Sequence, residues 1–440
     1  MHSSGTYAAD SVAKALAEAC ADVRDGAADD AIAGGTGDAG GAGVVPAFVA
    51  LPASTGEAAA VLRVAAEHEL AVVPRGGGSR LGWGAPPSRC DVLVDISRMD
   101  AVLEHASGDL VARLQAGARM GDVAAALAAA GQEIALDVPA GATAGGVVAS
   151  GLAGPRRLRY GSPRDLLIGI TIVLANGTVA RSGGKVVKNV AGYDLGKLYA
   201  GSAGTLGLIT EVTFRLHPLP AARAFVAAEF AAGALPAACD AVAAAANSSL
   251  TASAVELSRP SASGPLLVSV LLEGSADGVA ARAAAMADLL GRSGASRAKV
   301  SETAPPWWPG PPAAEAGETL VRVSFWVSAL GQVLSAIDTA AAEAGIAPSV
   351  AGSAGAGVLY VSCPPGEPGA CARFTGALRG ALDHARGGVA VLAAPGEVRA
   401  ALAGRGGMAG SVPSLDLMRA VKDQFDPGHR MSPGRFPEVI

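Results

Sequence analysis

The chain has 440 residues, enough for two or three domains with real cores, and 50% of them are hydrophobic against 17% charged. A formal net charge of −5, with no Lys and Arg cluster interleaved with aromatics, argues against a nucleic-acid footprint. Five scattered cysteines, an odd number, point to neither a disulfide framework nor a metal cluster.

The N-terminal stretch carries Asp10 and Glu18 where a secretory signal needs an apolar run. The longest strongly apolar run, Leu166 to Ala175, is far short of a membrane span, so a cytoplasmic setting without a transmembrane segment is expected. From Tyr7 to Val23 the spacing of Val12, Leu16, Cys20 and Val23 predicts an amphipathic packing helix. Asp25 to Gly43 is rich in Gly, Asp and Ala, has little to bury, and reads as a loop. Phe48 to Leu51 reads as a strand, and Ser54-x-x-Glu57 as a capping box opening a helix that buries Ala58, Val61, Leu62 and Ala65. A strand Ala71 to Val73 follows, and then PRGGGSRLGWG, Pro74 to Gly84. Successive amides in such a glycine loop can point into one concavity and hold a phosphate. This loop is neither a Walker loop nor a dinucleotide fingerprint; the G-x-G-x-x-G at Gly35 to Gly40 has no strand before it and is set aside.

Leu110 to Ala116 alternates like a strand, and Arg119 to Ala130 reads as a helix closed by Gly131. The glycine-rich segment Asp137 to Asp165 reads as flanked by strands and able to face the same ligand as the first loop. Asn176-Gly177 marks a tight hairpin. Gly183 to Val212, dense in Gly, Ala and Ser beside Lys188, Asn189, Tyr193, Asp194 and Lys197, reads as one wall of a cofactor cleft. From Ala224 to about Pro305 the order is strand, helix, strand, strand, helix, and Thr319 to Val391 repeats it. These are two related halves of one α+β domain, joined by the proline-rich Ser301 to Glu318. Trp307 and Trp308 there either cap a ligand mouth or pack on the nearest domain. The tail from Pro413 holds a short helix and an Asp-Pro-Gly turn, and its Leu417, Val421, Phe425 and Phe436 need a surface, expected on the first domain.

PRGGGSR (Pro74 to Arg80), GATAGGVVASGLAGPRR (Gly141 to Arg157), YGSPRDLLIG (Tyr160 to Gly169), GGKVVKNVAGYDLGKL (Gly183 to Leu198), GSAGTLGLITEVTFRLHPLP (Gly201 to Pro220) and FDPGHRMSPGRF (Phe425 to Phe436) resemble the flavoprotein family typified by vanillyl-alcohol oxidase and p-cresol methylhydroxylase. Within it the chain is most similar to the E-type FAD-binding subunits of bacterial glycolate oxidase complexes. The resemblance is clear over Phe48 to Pro220 and the last thirty or so residues. It implies an α+β architecture: an N-terminal helix and loop over 1–45, a two-subdomain PCMH-type FAD domain over 46–220, an α+β cap over 221–410, and a segment 411–440 returning to the FAD domain.

It also implies that FAD is held by Pro74, Arg75, Gly76, Gly77, Gly78, Ser79 and Arg80, by Gly141, Ala142, Thr143, Gly145, Gly146 and Ser150, and by Gly201, Gly204, Thr205, Gly207 and Ile209. Relatives with covalent flavin place a His in the first glycine loop; this loop has none, so FAD is expected to be noncovalent. Catalytic 2-hydroxy-acid relatives carry Glu where this chain has Ala203, and histidines in the cap where this chain reads AGSAGAGVLYVS, Ala351 to Ser362. Oxidation at C2 needs a base for the hydroxyl proton, and none of the six histidines sits in a motif that makes it that base.

The catalytic candidates are therefore Arg157 and Lys188. Arg157, like Arg156, either holds a carboxylate bidentately or is a loop arginine capping carbonyls or facing a partner. Lys188 either stabilises an anionic reduced flavin or pairs with Asp194 or Asp165. Tyr193, His217 and His429 read as structural, and no metal ligands are expected. The expected function is an FAD-binding subunit of a glycolate oxidase-type complex, acting on a small 2-hydroxy acid beside a second FAD subunit and an iron–sulfur subunit, with peripheral docking at the inner membrane through those partners. The alternatives are a self-sufficient FAD dehydrogenase and a non-catalytic assembly or electron-relay subunit.

Overall fold

The computed structural model describes residues 4–32, 43–184, 194–310, 312–382 and 387–435. The N-terminal helix runs Ser4–Ala19 and buries Val12 and Leu16. It stops short of Val23, which opens a strand, Val23–Asp25, where a loop was expected from Asp25 onward. This strand pairs antiparallel with Phe48–Ala50, and the resulting sheet continues in parallel through Val92–Asp95 to Val72–Arg75. The β-strand, helix and β-strand unit expected around Ser54 is present, with Thr55–Glu67 as its helix. Ser54 accepts from the amide of Glu57 at 3.2 Å, but the Glu57 carboxylate reaches back to Ala53 rather than to the cap residue itself.

A second, antiparallel sheet holds Val102–Ala106, Val111–Gln115, Leu208–Arg215, Leu167–Val173 and Val179–Gly183 in that order. Its first strand carries no clean alternation and was not anticipated. Gly177 (φ 81°) turns the last hairpin as Asn-Gly requires. One apolar core, from Val12 to Leu216 with Met431, packs both sheets together.

The rest of the chain builds one antiparallel sheet of eight strands. Their spatial order is Arg297–Ser301, Ala222–Phe230, Leu266–Gly274, Ala254–Arg259, Ser349–Gly352, Val358–Cys363, Thr319–Phe325 and Gly387–Ala393. Each half contributes four strands in mirrored order, joined where Leu257 pairs with Gly352. Alternation sorts the faces: Val255, Leu257, Val321, Val323, Leu359 and Val361 pack under the helices in a core separate from the first. The intervening residues, among them Glu256, Arg322 and Tyr360, lie on the other face. Trp308 of the connecting segment packs edge-on against Phe225, with centroids 5.0 Å apart.

The C-terminal helix Leu415–Phe425 leads the chain back to the first sheet, where Val72 donates to Arg430 O and Ser432 to Val72 O, each at 2.8 Å. Phe425 packs edge-on against Tyr199. Leu417, expected inside, is 66% exposed, and the buried residue of that helix is Lys422. Its Nζ donates to Thr205 O (2.7 Å), Asp426 Oδ2 (2.7 Å) and Met431 O (2.9 Å), so every proton of the ammonium is placed. Phe436 lies outside the described residues. Among the described residues no helix is long and apolar enough to cross a membrane.

Candidate functional site

The loop leaving strand Val72–Arg75 has a backbone suited to an anion. The amides of Gly77, Gly78, Ser79 and Arg80 donate to no acceptor among the described residues, and Gly78 adopts φ 73° with open space where a Cβ would stand. A run of unpaired N–H groups in such a turn is an anion nest. The side chain of Arg75 is held elsewhere, by Asp95 at 2.8 Å and Asp30 at 3.1 Å. Asp30 is also gripped by Arg24 at 2.6 and 2.8 Å. The Arg24 hydrogen bonds, with those from Ala27 and Arg75, hold the Asp30 carboxyl well below the usual range against its burial.

Two of the glycines let the second loop approach. A Cβ on Gly76 would stand 2.3 Å from Thr143 Oγ1, and one on Gly77 would stand 2.6 Å from Gly141 O. The second segment is flanked by strands, Gln132–Glu133 and Leu167–Val173, and within it Thr143 is the N-cap of a helix, Ala144–Ser150, and accepts from Gly146 N at 3.3 Å. The third wall is a turn in which Gly201 (φ 85°), Ala203 (φ 52°) and Gly204 (φ 76°) are left-handed. Ala203 is kept there by its amide bond to Ala149 O at 2.8 Å.

These walls enclose a cavity of about 450 Å³ between both sheets of the first part and the cap sheet. Pro74, Arg75, Gly76, Gly77, Gly78, Ser79 and Arg80 line it, with Ala142, Thr143, Gly145, Gly146 and Ser150, and Gly201, Gly204, Gly207 and Ile209. Two candidates fall outside the lining. Gly141 stands behind it, its carbonyl against Gly77. Thr205 is buried, donating its hydroxyl to Ser202 O at 2.7 Å and giving its carbonyl to Lys422. Arg157 is also outside the lining; its guanidinium donates to the carbonyls of Ala153 and Gly154 and to the Tyr360 hydroxyl at 3.3 Å. Arg156 is a buried structural residue, bonded to Asp137 at 2.7 Å and Glu133 at 2.8 Å, so it is not free for a substrate. Lys188, Asn189 and Tyr193 lie outside the described residues.

Sequence reasoning missed the cap's contribution. Arg322, Ala390 and Leu392 close the cavity from the eight-stranded sheet. The Arg322 side chain makes no hydrogen bond or ion pair among the described residues. Arg322 is an exposed residue that lines the cavity; the protein around it lowers its pKa by desolvation, the nearby Arg157 also lowers it, and Tyr360 acts the other way. Tyr360 is the cross-strand neighbour of Arg322. The only available signal was the alternation of Val321, Arg322 and Val323, which reads as an ordinary solvent-facing Arg until the second face is covered. No Asp, Glu, His or Cys is among the described residues lining the cavity. Among the described residues no group of His, Cys, Asp and Glu could hold a metal ion.

An anion nest, close-approach glycines on three segments and an apolar wall from the cap fit a dinucleotide cofactor with a flat ring. The family described as FAD binding domain matches residues 46–183. Over 178 residues the chain is 38% identical to glycolate oxidase subunit GlcD of Bacillus subtilis (strain 168), covering 40% of this chain and 38% of that protein. Over 154 residues it is 38% identical to glycolate oxidase subunit GlcE of Escherichia coli (strain K12), covering 34% of this chain and 43% of that one. The matched stretch is thus less than half the length of either relative. Among solved structures, p-cresol methylhydroxylase with substrate bound superimposes with a TM-score of 0.74 at 16% identity, covering 98% of this chain and 97% of that one. The fold is the PCMH-type FAD-binding fold, and the cofactor is FAD. Over that domain the chain stands among FAD-linked oxidoreductases by similarity.

Proposed function

We propose that the chain is the FAD-binding subunit of a glycolate oxidase-type dehydrogenase complex that oxidises glycolate or a similar 2-hydroxy acid to the 2-oxo acid and passes the electrons to an iron–sulfur partner. Arg322 carries this reading: a guanidinium that lines the cavity and has no side-chain partner among the described residues suits a small carboxylate. Tyr360, whose hydroxyl accepts from Arg157, is the cross-strand neighbour of Arg322, and through it Arg157 is proposed to position Arg322. When bound, FAD supplies the two-electron acceptor for the hydrogen leaving C2. The hydroxyl proton needs a base, and no carboxylate or imidazole among the described residues lines the cavity, so a second flavoprotein subunit is proposed to supply it. Noncovalent FAD agrees with a described lining that holds neither His nor Cys. Lys188 remains the proposed cation near the flavin. A cytoplasmic location, with docking at the inner membrane through the partners, completes the proposal.

The test is an anaerobic absorbance spectrum of the purified chain, alone and within its complex, before and after glycolate or D-lactate. Bleaching only in the complex is expected; bleaching of the isolated chain would make it self-sufficient, and no bleaching in either would favour the assembly or relay role. Arg322→Met should retain flavin while the KM of the complex for glycolate rises about tenfold to hundredfold. An unchanged KM would remove the carboxylate role of Arg322.

A further inference from the structure

Two cations belong to the wall that holds the anion nest, and no acidic side chain is among the described residues lining it. Arg435 is 5% exposed and lines the cavity. It donates from Nη2 to the carbonyls of Arg80 and Trp83 at 3.2 Å each, and its Nη1 is buried without a partner. Arg80 lies over the Trp83 ring, 4.1 Å from its centroid, and its Nε is likewise buried and unpartnered. Burial alone pulls the Arg435 guanidinium down to about 10, and burial lowers Arg80 as well. A buried guanidinium with no counter-charge is costly to the fold, and no acidic side chain among the described lining residues compensates either one. The carbonyls that anchor Arg435 belong to the same loop whose amides at Gly77 to Arg80 are free. Arg435 is thus anchored on the carbonyls of the loop whose amides are free, no acidic side chain among the described residues lines the cavity there, and the diphosphate of FAD carries two negative charges.

We propose that Arg435 is a phosphate-binding residue of the FAD site, and that the C-terminal segment is thereby a strap closed over the cofactor rather than a mere surface tail. Three attachments bring Arg435 there. Lys422 ties the strap to Thr205, Ser432 donates its hydroxyl to Gly204 O at 3.3 Å, and the bridge to Val72 sets the register beside the glycine loop. Two of these attachments grip the turn that forms the third cavity wall, so the strap's docking and the cofactor's binding are coupled. Anything that binds only the docked form stabilises it. This inference rests on FAD and not on any substrate, so its failure leaves the hydroxy-acid reading standing.

The apoprotein of Arg435→Met is titrated with FAD and with riboflavin, which lacks both phosphates, by flavin fluorescence. The FAD dissociation constant should rise about tenfold to hundredfold while that of riboflavin stays unchanged. Equal losses for both ligands, or no loss for FAD, overturn the assignment. If Arg435→Met does not fold, Arg435→Gln, which keeps an amide donor toward Arg80 and Trp83, takes the same test with the same outcomes. On the wild-type chain, FAD but not riboflavin should slow tryptic cleavage within Leu415–Arg435. Equal protection by both, or by neither, overturns the strap.

Discussion

At the scale of single residues, Glu256 shows how a face of the sheet changes meaning once it is covered. It is 1% exposed, and its Oε1 has no partner. Burial pushes its carboxyl up to about 8, while a hydrogen bond from Ser353 and the charge of Arg157 pull it down and Asp137 adds to the rise. An unfolded Glu titrates near about 4.3. Between there and about pH 8 the folded chain keeps a proton that the unfolded chain has lost. Stability that is full below the lower value is therefore lost as pH rises through the upper one. Glu256→Gln, with the shape of the protonated acid, should match the wild type at pH 5 and exceed it by about 4 kcal/mol at pH 9 in urea unfolding. Equal stability at both pH values would mean that Glu256 is charged in the fold. In the sequence AVELSR this residue reads as the solvent side of an alternating strand. Nothing local shows that the helix Arg157–Tyr160 lies against it.

At the scale of elements, the site is a meeting of loops, and the glycines set how closely they meet. Gly77→Ala would place a methyl 2.6 Å from the carbonyl of Gly141, which is backbone and cannot turn aside. One loop must then shift, at about 1–3 kcal/mol. The purified variant should carry clearly less FAD, read from the ratio of flavin to protein absorbance, with its melting temperature little changed. A full flavin load would mean that the loops have slack. The glycine walls could be read from residue types because glycine has few other reasons to cluster at such density. That Thr143 begins a helix could not: GATAGGVVAS has no helical apolar spacing, and the helix packs on Ala116 only because Gly145 has no Cβ, which would stand 2.6 Å from the Ala116 methyl. The strand Val23–Asp25 was hidden for a similar reason, since it is held by pairing with Phe48–Ala50 and by Asp30 rather than by its own pattern.

At the scale of the whole molecule, one short helix joins the two cores. Arg156, at its start, binds Glu133 and Asp137 of the FAD part and approaches Glu273 of the cap at 3.6 Å. Tyr160 donates to the same Glu273 at 3.2 Å, and Arg159 reaches Ser253 at 3.3 Å. Arg156→Met would leave Asp137 without this cation and Glu133 and Glu273 with Arg223 alone, and should cost about 1–3 kcal/mol. Thermal unfolding should show the cap loosening first, as a lower or split transition. An unchanged single transition would show that the cap is held by its other contacts. The chain's own residue order determined the elements and the kind of cleft: alternation and helical spacing drew the repeated cap halves, and glycine density drew the cofactor walls. Only the tertiary structure decided which arginines line the cavity and which do not. Arg156, Arg157, Arg322 and Arg435 are alike as letters, and their roles differ by whether a carboxylate, a carbonyl or nothing stands within reach. That is a property of segments brought together from distant parts of the chain, which no local pattern encodes.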